Sequence, residues 1–154
     1  VYPENIEIIR VAEYLANLKA NAFKNIPTDT IIITADTVVI LNEQILGKPK
    51  NKTEASKMLQ SLSNQNHKVM TGVCIKSKDK TISFSNTTKV FFKELTSSEI
   101  NYYIENYKPF DKAGSYGIQE WIGAIGISKI EGSYFNVVGL PINQLYKNLK
   151  EYFF

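Results

Sequence analysis

Arginine, cysteine and histidine are almost missing from this chain. Of its 18 basic residues only Arg10 is an arginine, and the rest are lysines. A phosphate site here must therefore draw on lysine point charges, backbone amides or a metal ion, because several guanidinium forks are not available. The single cysteine, Cys74, excludes an internal disulfide. It lies in an alternating apolar run, which suits a small core residue better than a nucleophile. The single histidine, His67, has no partner at metal-ligand spacing, so a structural role is expected and zinc is not. There is no apolar run of about 18 residues, no signal peptide and no lipidation motif, so no membrane partner is expected and a reducing cytoplasm fits. A formal net charge of +3 is too weak to imply nucleic acid, and the lysines are spread along the chain. The phosphate-loop pattern G-x-x-x-x-G-K-[ST], the G-x-S-x-G elbow and a Cys-His-Asn set are all absent. No internal repeat and no Gly-, Ser- or Pro-rich linker divides residues 1–154, so one domain is expected.

What is present is a core. The hydrophobic share is 44%, with 8 Phe and 9 Tyr, and a domain near this length buries roughly 70% of its unfolded surface. The stretch TIIITADTVVILNEQILGKP, Thr30 to Pro49, is where chemistry is expected. Ile31 to Ile33 and Val38 to Ile40 are β-branched runs that read as buried strand. Asp36 stands between them, at the end of the first run. A carboxylate there is costly unless it is paired, hydrogen-bonded or metal-bound. Gly47, Lys48 and Pro49 close the stretch as a turn carrying an ammonium group. An acid and a nearby cation suit a phosphate ester held with a metal ion.

Around that stretch the pattern predicts alternating elements. Ile6 to Lys24 reads as a helix with Val11, Leu15, Leu18 and Ala22 as its stripe. Gln44 to Leu46 returns as a short strand after an Asn42-Glu43 turn. Asn51 and Glu54 start a second helix, with Ala55, Met58, Leu59 and Leu62 on one face. Lys68 to Ser77 and Thr81 to Glu94 read as strands of an antiparallel hairpin. Thr96 and Glu99 form a capping box for a third helix, which Pro109 stops. Phe110 to Gly139 holds 6 of the 8 glycines and reads as loops with short strands or turns near Ile118, Ile125 to Ile130 and Phe135 to Val138. Pro141 opens a last helix through Ile142, Leu145, Tyr146, Leu149 and Phe153. The order predicts an α/β chain with a mixed twisted sheet flanked by helices.

Each candidate residue has an ordinary reading beside the functional one. Asp36 either accepts backbone amides or binds a divalent metal and orients water. Lys19, at the edge of the first helix's stripe, is by default a solvated lysine. Lys48 alone is an ordinary turn lysine. Asp111 and Lys112 form a surface ion pair worth little, unless the glycines around them hold the loop against a ligand. Gln119 carries a donor and an acceptor suited to a base edge, although a solvated glutamine is commoner. Trp121, beside the Gly123 turn, is a stacking or packing residue.

In order along the chain, ADTVV at Ala35 to Val39, GKP at Gly47 to Pro49 and TGV at Thr71 to Val73 resemble the Maf-like proteins. DKAGSYGIQ at Asp111 to Gln119 and GSYFNVVGLP at Gly132 to Pro141 continue the resemblance, which begins at the LANLKANAF helix, Leu15 to Phe23. The resemblance implies a Maf-like fold with a central cleft and a house-cleaning nucleoside triphosphate pyrophosphatase. Such an enzyme releases a nucleoside monophosphate and pyrophosphate with Mg²⁺ or Mn²⁺. It implies Asp36 as the catalytic carboxylate, orienting water or holding the metal. Lys19, Lys48 and Lys112 would bind phosphate oxygens, and Gln119 would line the nucleotide pocket. The DKAG-x-YGIQ form resembles the branch that prefers dTTP and UTP, including modified pyrimidines. A homodimer is the family's expectation. A rival in the same resemblance is a nucleotide-binding regulator of cell division that has lost catalysis.

Two departures from the pattern carry expectations. Family members begin with a strand and an S-x-SPRR-type loop, a region that lies before Val1. A preceding piece is thus expected in the natural protein, and a partial site with weak or no activity in the 154 residues alone. Glu120-Trp121 stands where many relatives have glycine, which alters the pocket rim and with it the base preference.

Overall fold

The computed structural model describes residues 1–154. The first helix, α1, spans Ile8–Asn21. Its buried residues are Val11, Ala12, Ala16 and Ala20, while Leu18 is exposed. The buried stripe keeps Val11 and turns towards the alanines; of the other expected positions Leu15 is partly buried against the cluster of Val38, Ile40 and Met70, and Leu18 and Ala22 are exposed. The reason is Gly72 on the sheet: a Cβ there would lie 2.3 Å from the Ala12 carbonyl. Small residues on both sides let the helix backbone press onto the strand, and Thr34 Oγ1 donates to the Ala16 carbonyl at 2.7 Å across the same contact.

Five strands follow: β1 Ile32–Leu41, β2 Gln44–Leu46, β3 Asn66–Lys76, β4 Thr81–Phe92 and β5 Ile127–Glu131, in the spatial order β2-β1-β3-β4-β5. The helices flank the sheet, as an α/β chain should. Every pairing is antiparallel, however, where a mixed sheet was the expectation. The turn chemistry explains this. Asn42 and Glu43 both adopt positive φ, 49° and 63°, which reverses the chain from β1 into β2 through a two-residue hairpin. A second tight turn at Ser77 to Lys80 joins β3 to β4, with Ser77 N donating to Lys80 O at 2.8 Å.

The two β-branched runs around Asp36 form one strand instead of two. Asp36 sits opposite Gly72 inside β1, not at a strand end. The pairing still treats the two halves differently. β2 covers only Val39, Ile40 and Leu41, so the outer edge of β1 is unpaired from Ile32 to Val38.

Helices α2, Lys52–Leu62, and α3, Ser97–Tyr107, lie together over one face. Asn51 caps α2 by accepting from Glu54 N at 2.9 Å. Thr96 and Glu99 make the reciprocal capping box of α3. The main core joins Val39, Leu41, Val69, Val90 and Phe92 of the sheet to Ala55, Leu59, Leu62, Ile100, Tyr103 and Ile104. Val38, Ile40 and Met70 point the other way, to α1. Cys74 is buried against Ala16 and Ala20, and burial raises its thiol pKa, as befits a packed, unreactive sulfur.

The glycine-rich part holds two short helices where loops, turns or strands were expected. These are α4, Trp121–Gly126, and α5, Tyr134–Val138, with Ser133 capping α5 at Asn136 N. Neither is long enough to form on propensity alone. Buried Asn136 fixes α5 by donating to Val69 O and Thr88 Oγ1, each at 3.0 Å. The last helix, α6, is Ile142–Tyr152, and its Leu145 packs on Val73 and Ile75. No helix is long and apolar enough to cross a membrane.

Candidate active site

Between the α2–α3 cluster and α6, the face of β1 and β3 that carries Ala35, Thr37, Val39 and Val69 is left partly uncovered. A cavity of about 320 Å³ opens there, within the range of small-ligand pockets. Asp36 and Lys19 line one side. Lys48, Asp111 and Lys112 line another, and Gly117, Ile118 and Gln119 form a third. Val137 and Val138 of α5 complete the wall. The sequence candidates Lys19, Asp36, Lys48, Lys112 and Gln119 therefore all border a single space, though they are spread over 100 positions of the chain from 19 to 119.

Each side chain is delivered by a different element. Lys19 comes from the last turn of α1 and reaches β1, where its ammonium donates to the Asp36 carboxylate and to the Ala35 carbonyl at 2.9 Å. The Asp36 side chain is 21% exposed and stands beside the unpaired edge of β1, on the side that Val38 and Ile40 turn to α1. Lys48 is presented by the GKP turn. That turn is tied to the DKAG loop, since Gly114 N donates to Gly47 O at 3.1 Å. Gly114 is a required glycine: its φ is +72°, and a Cβ would meet the Val39 side chain at 3.1 Å. The turn and loop therefore sit down on the strand together and bring Lys48 and Lys112 to the same side.

Lys112 is held at the wall by two carboxylates. Its Nζ lies 3.1 Å from Asp111 Oδ1 and 3.7 Å from Glu120 Oε1. Its hydrogen bond holds the Asp111 carboxyl below the usual carboxylate range. Glu120 also accepts from Tyr103 OH at 2.6 Å, and that phenol accepts from Gly117 N at 3.1 Å. Burial first, and then the Glu120 carboxylate, raises the Tyr103 pKa, so the phenol stays protonated and the bridge between α3 and the loop persists.

Beneath the cavity, Tyr116 lines the floor while its hydroxyl reaches His67 Nε2 at 2.6 Å. Thr37 Oγ1 and Thr71 Oγ1 are 2.8 Å apart, and Thr71 donates to the Asn136 carbonyl at 3.0 Å. This chain of contacts ties the strand residue next to Asp36 to the segment bearing Val137 and Val138.

The sequence pattern of the family described as "Maf-like protein" matches residues 3–152. The chain belongs to the Maf-like family. Curated relatives include a protein of Christiangramia forsetii, 52% identical over 152 residues, covering 98% of this chain and 78% of that protein. A Porphyromonas gingivalis protein is 49% identical over 154 residues, covering 98% and 77% respectively. A Flavobacterium psychrophilum protein is 50% identical over 155 residues, covering 100% and 80%. All three carry the name dTTP/UTP pyrophosphatase.

Several cavity residues of this Maf-like chain escape a reading of single positions. Thr37, Tyr116, Val137 and Val138 sit inside segments that carry the family resemblance, but each looks like ordinary core. In sequence Glu120 is only a departure at the rim, and its contacts with Lys112 and Tyr103 have no local signal. Trp121 packs edge-on against Tyr102 with centroids 4.7 Å apart, outside the cavity. No cluster of three or more His, Cys, Asp or Glu side chains could hold a metal by itself. The only carboxylates at the cavity wall are Asp36 and Asp111.

Proposed function

We propose that this chain hydrolyses pyrimidine nucleoside triphosphates of the dTTP and UTP type to the monophosphate and pyrophosphate. The observation that carries this reading is the convergence of Lys19, Asp36, Lys48, Lys112 and Gln119 on one cavity with an apolar floor. The names of the relatives supply the substrate class. Lys48 and Lys112 bind the phosphate tail, and Gln119 lines the end of the cavity that takes the base.

In the reaction, water oxygen bonds to phosphorus, the α–β bridging P–O bond breaks, and its electron pair leaves with pyrophosphate. Ammonium groups offset the charge that gathers on the phosphate oxygens, and their placement before the reaction is what makes them effective. Asp36 is the carboxylate that orients the water or anchors a divalent cation. The donor set fits Mg²⁺ or Mn²⁺, because such ions bind through one or two carboxylates plus substrate phosphates instead of an all-protein cage. The cation, when bound, would polarise the phosphate and neutralise its charge. Lys19 is then the partner that must release Asp36 and turn its ammonium to the triphosphate.

The test is pyrophosphate release from a panel of canonical and modified nucleoside triphosphates, with wild type and Asp36→Asn. We expect dTTP and UTP to lead the panel, and the variant to lose at least about a hundredfold in kcat. An undiminished Asp36→Asn would sink the assignment. Mn²⁺ affinity of the same variant separates the two roles of Asp36, since only an anchoring carboxylate costs metal binding when neutralised. One observation favours the regulator reading: Asp36 is already engaged by Lys19. Tight dTTP binding without pyrophosphate release would select it.

We also read residues 1–154 as one domain, a cytoplasmic protein and a homodimer. One sheet carrying all the strands and the buried free Cys74 support the first two. Exposed Tyr134, Phe135, Val138, Ile142 and Tyr146, close together along α5 and α6, support the third, and light scattering at micromolar concentration tests it.

A further inference from the structure

Gln119 offers two donors to the cavity, a side-chain amide and a main-chain N–H. The main-chain N–H has no acceptor within the protein. Gln119 is exposed, so water meets this N–H until a ligand takes its place, and a ligand that displaces the water keeps the bond only if it offers an acceptor there. Its direction is set by a neighbour. Gly123 of α4 lies so close to Ile118 that a Cβ there would stand 1.9 Å from the Ile118 carbonyl oxygen and 2.6 Å from its carbon. The Ile118 carbonyl is thereby laid against α4. In a trans peptide the N–H of the next residue points opposite to the carbonyl. The Gln119 N–H therefore faces away from Gly123.

Two hollows share Ile118 and Gln119 as their common wall. The outer one, about 490 Å³, contains Gly123 and Ala124. The other is the cavity of the Asp36 and lysine cluster. A carbonyl turned to the Gly123 side leaves the N–H turned to the nucleotide side.

We propose that the Gln119 main-chain N–H, oriented by Gly123, reads the 4-carbonyl of the pyrimidine. This rests on the pyrimidine triphosphate reading above and names the group responsible for its selectivity. Uracil and thymine present an acceptor at that position, whereas cytosine presents an amine donor. Cytosine would set donor against donor and leave this N–H without a partner once the base shuts out water, which a site built to donate disfavours. The discriminating group is then in the backbone, and the Gln119 side chain is secondary.

The experiment compares dissociation constants for UTP and CTP by calorimetry. It uses the wild type, Gln119→Ala, which keeps the peptide, and Gly123→Ala, which displaces it. Wild type should prefer UTP by at least about tenfold, and Gln119→Ala should keep that ratio within about threefold. Gly123→Ala, shown folded by its near-ultraviolet dichroism, should bring the ratio near one. Should Gly123→Ala not fold, 4-thio-UTP decides on wild type, because sulfur is a weak acceptor and should cost roughly three- to tenfold in affinity. Loss of the preference in Gln119→Ala, or an unchanged 4-thio-UTP affinity, would overturn the proposal. UTP bound but not cleaved would overturn only the enzymatic reading, since the affinity ratio still reports the base contact.

Discussion

His67 makes the stability of this protein depend on pH in one window, and the effect can be isolated. The ring is 2% exposed, between Phe92, with which it stacks, and Tyr116, whose hydroxyl meets Nε2 at 2.6 Å. Burial lowers its pKa from 6.5 to about 4. A histidine held neutral in the fold but free to charge when unfolded stabilises the protein above its unfolded pKa. That stability is lost as pH falls towards the folded value. At about 1.4 kcal/mol for each pH unit between the two values, the full loss is roughly 3 kcal/mol. Most of the window lies between about pH 6.5 and pH 4, so acidifying from about pH 7 to pH 5 should remove about 2 kcal/mol, or roughly 5 °C in Tm. The assay is urea unfolding of wild type and His67→Gln at each pH. Glutamine keeps a group that can bond Tyr116 but cannot charge, and should cost about 1 kcal/mol at neutral pH. Other groups titrate in both proteins and cancel in the difference. The wild-type midpoint should therefore fall towards that of the variant as pH drops. Parallel curves across the window would show that His67 gains no charge on unfolding, and the reasoning would fail.

Two further substitutions test the scaffold. Gly72→Ala places a Cβ 2.3 Å from the Ala12 backbone, so α1 must lift off β3; a loss of about 3 kcal/mol in urea is expected, and less than about 1 would refute the close approach. Thr96→Ala removes one half of the α3 capping box and should cost about 1 kcal/mol in the same assay, with nucleotide affinity unchanged because Thr96 is remote from the cavity.

The sequence was most readable where the physics is local. The Thr96–Glu99 box, the Asn51 cap and the β3–β4 hairpin follow from neighbours a few positions apart, and the structure has all three. Short helices were not readable. The six residues of α4 and the five of α5 are held by tertiary bonds, such as those of Asn136 to Val69 and Thr88, which no window of sequence contains. The α1 stripe, right at Val11 and partly at Leu15, missed Leu18 and Ala22 for a related reason. Leucine outranks alanine in any pattern count, yet a glycine on a distant strand decides which of the two can be buried.

The position of Asp36 follows from the same kind of long-range cause. Its two flanking β-branched runs suggested a break in the strand, because a carboxylate inside a buried strand is expensive. The structure keeps the strand whole and removes the neighbour instead. β2 is three residues long and stops pairing at Val39, so the carboxylate three positions earlier emerges at an uncovered edge where Lys19 can reach it. Opposite Asp36 stands Gly72, whose missing side chain lets α1 settle close enough to deliver that lysine. Shortness of one strand and absence of one side chain therefore do as much to build the site as the charged residues do. Lengthening β2 to cover Ala35 and Asp36 should close the cavity without touching a single lysine, and nucleotide binding should be lost with the fold intact.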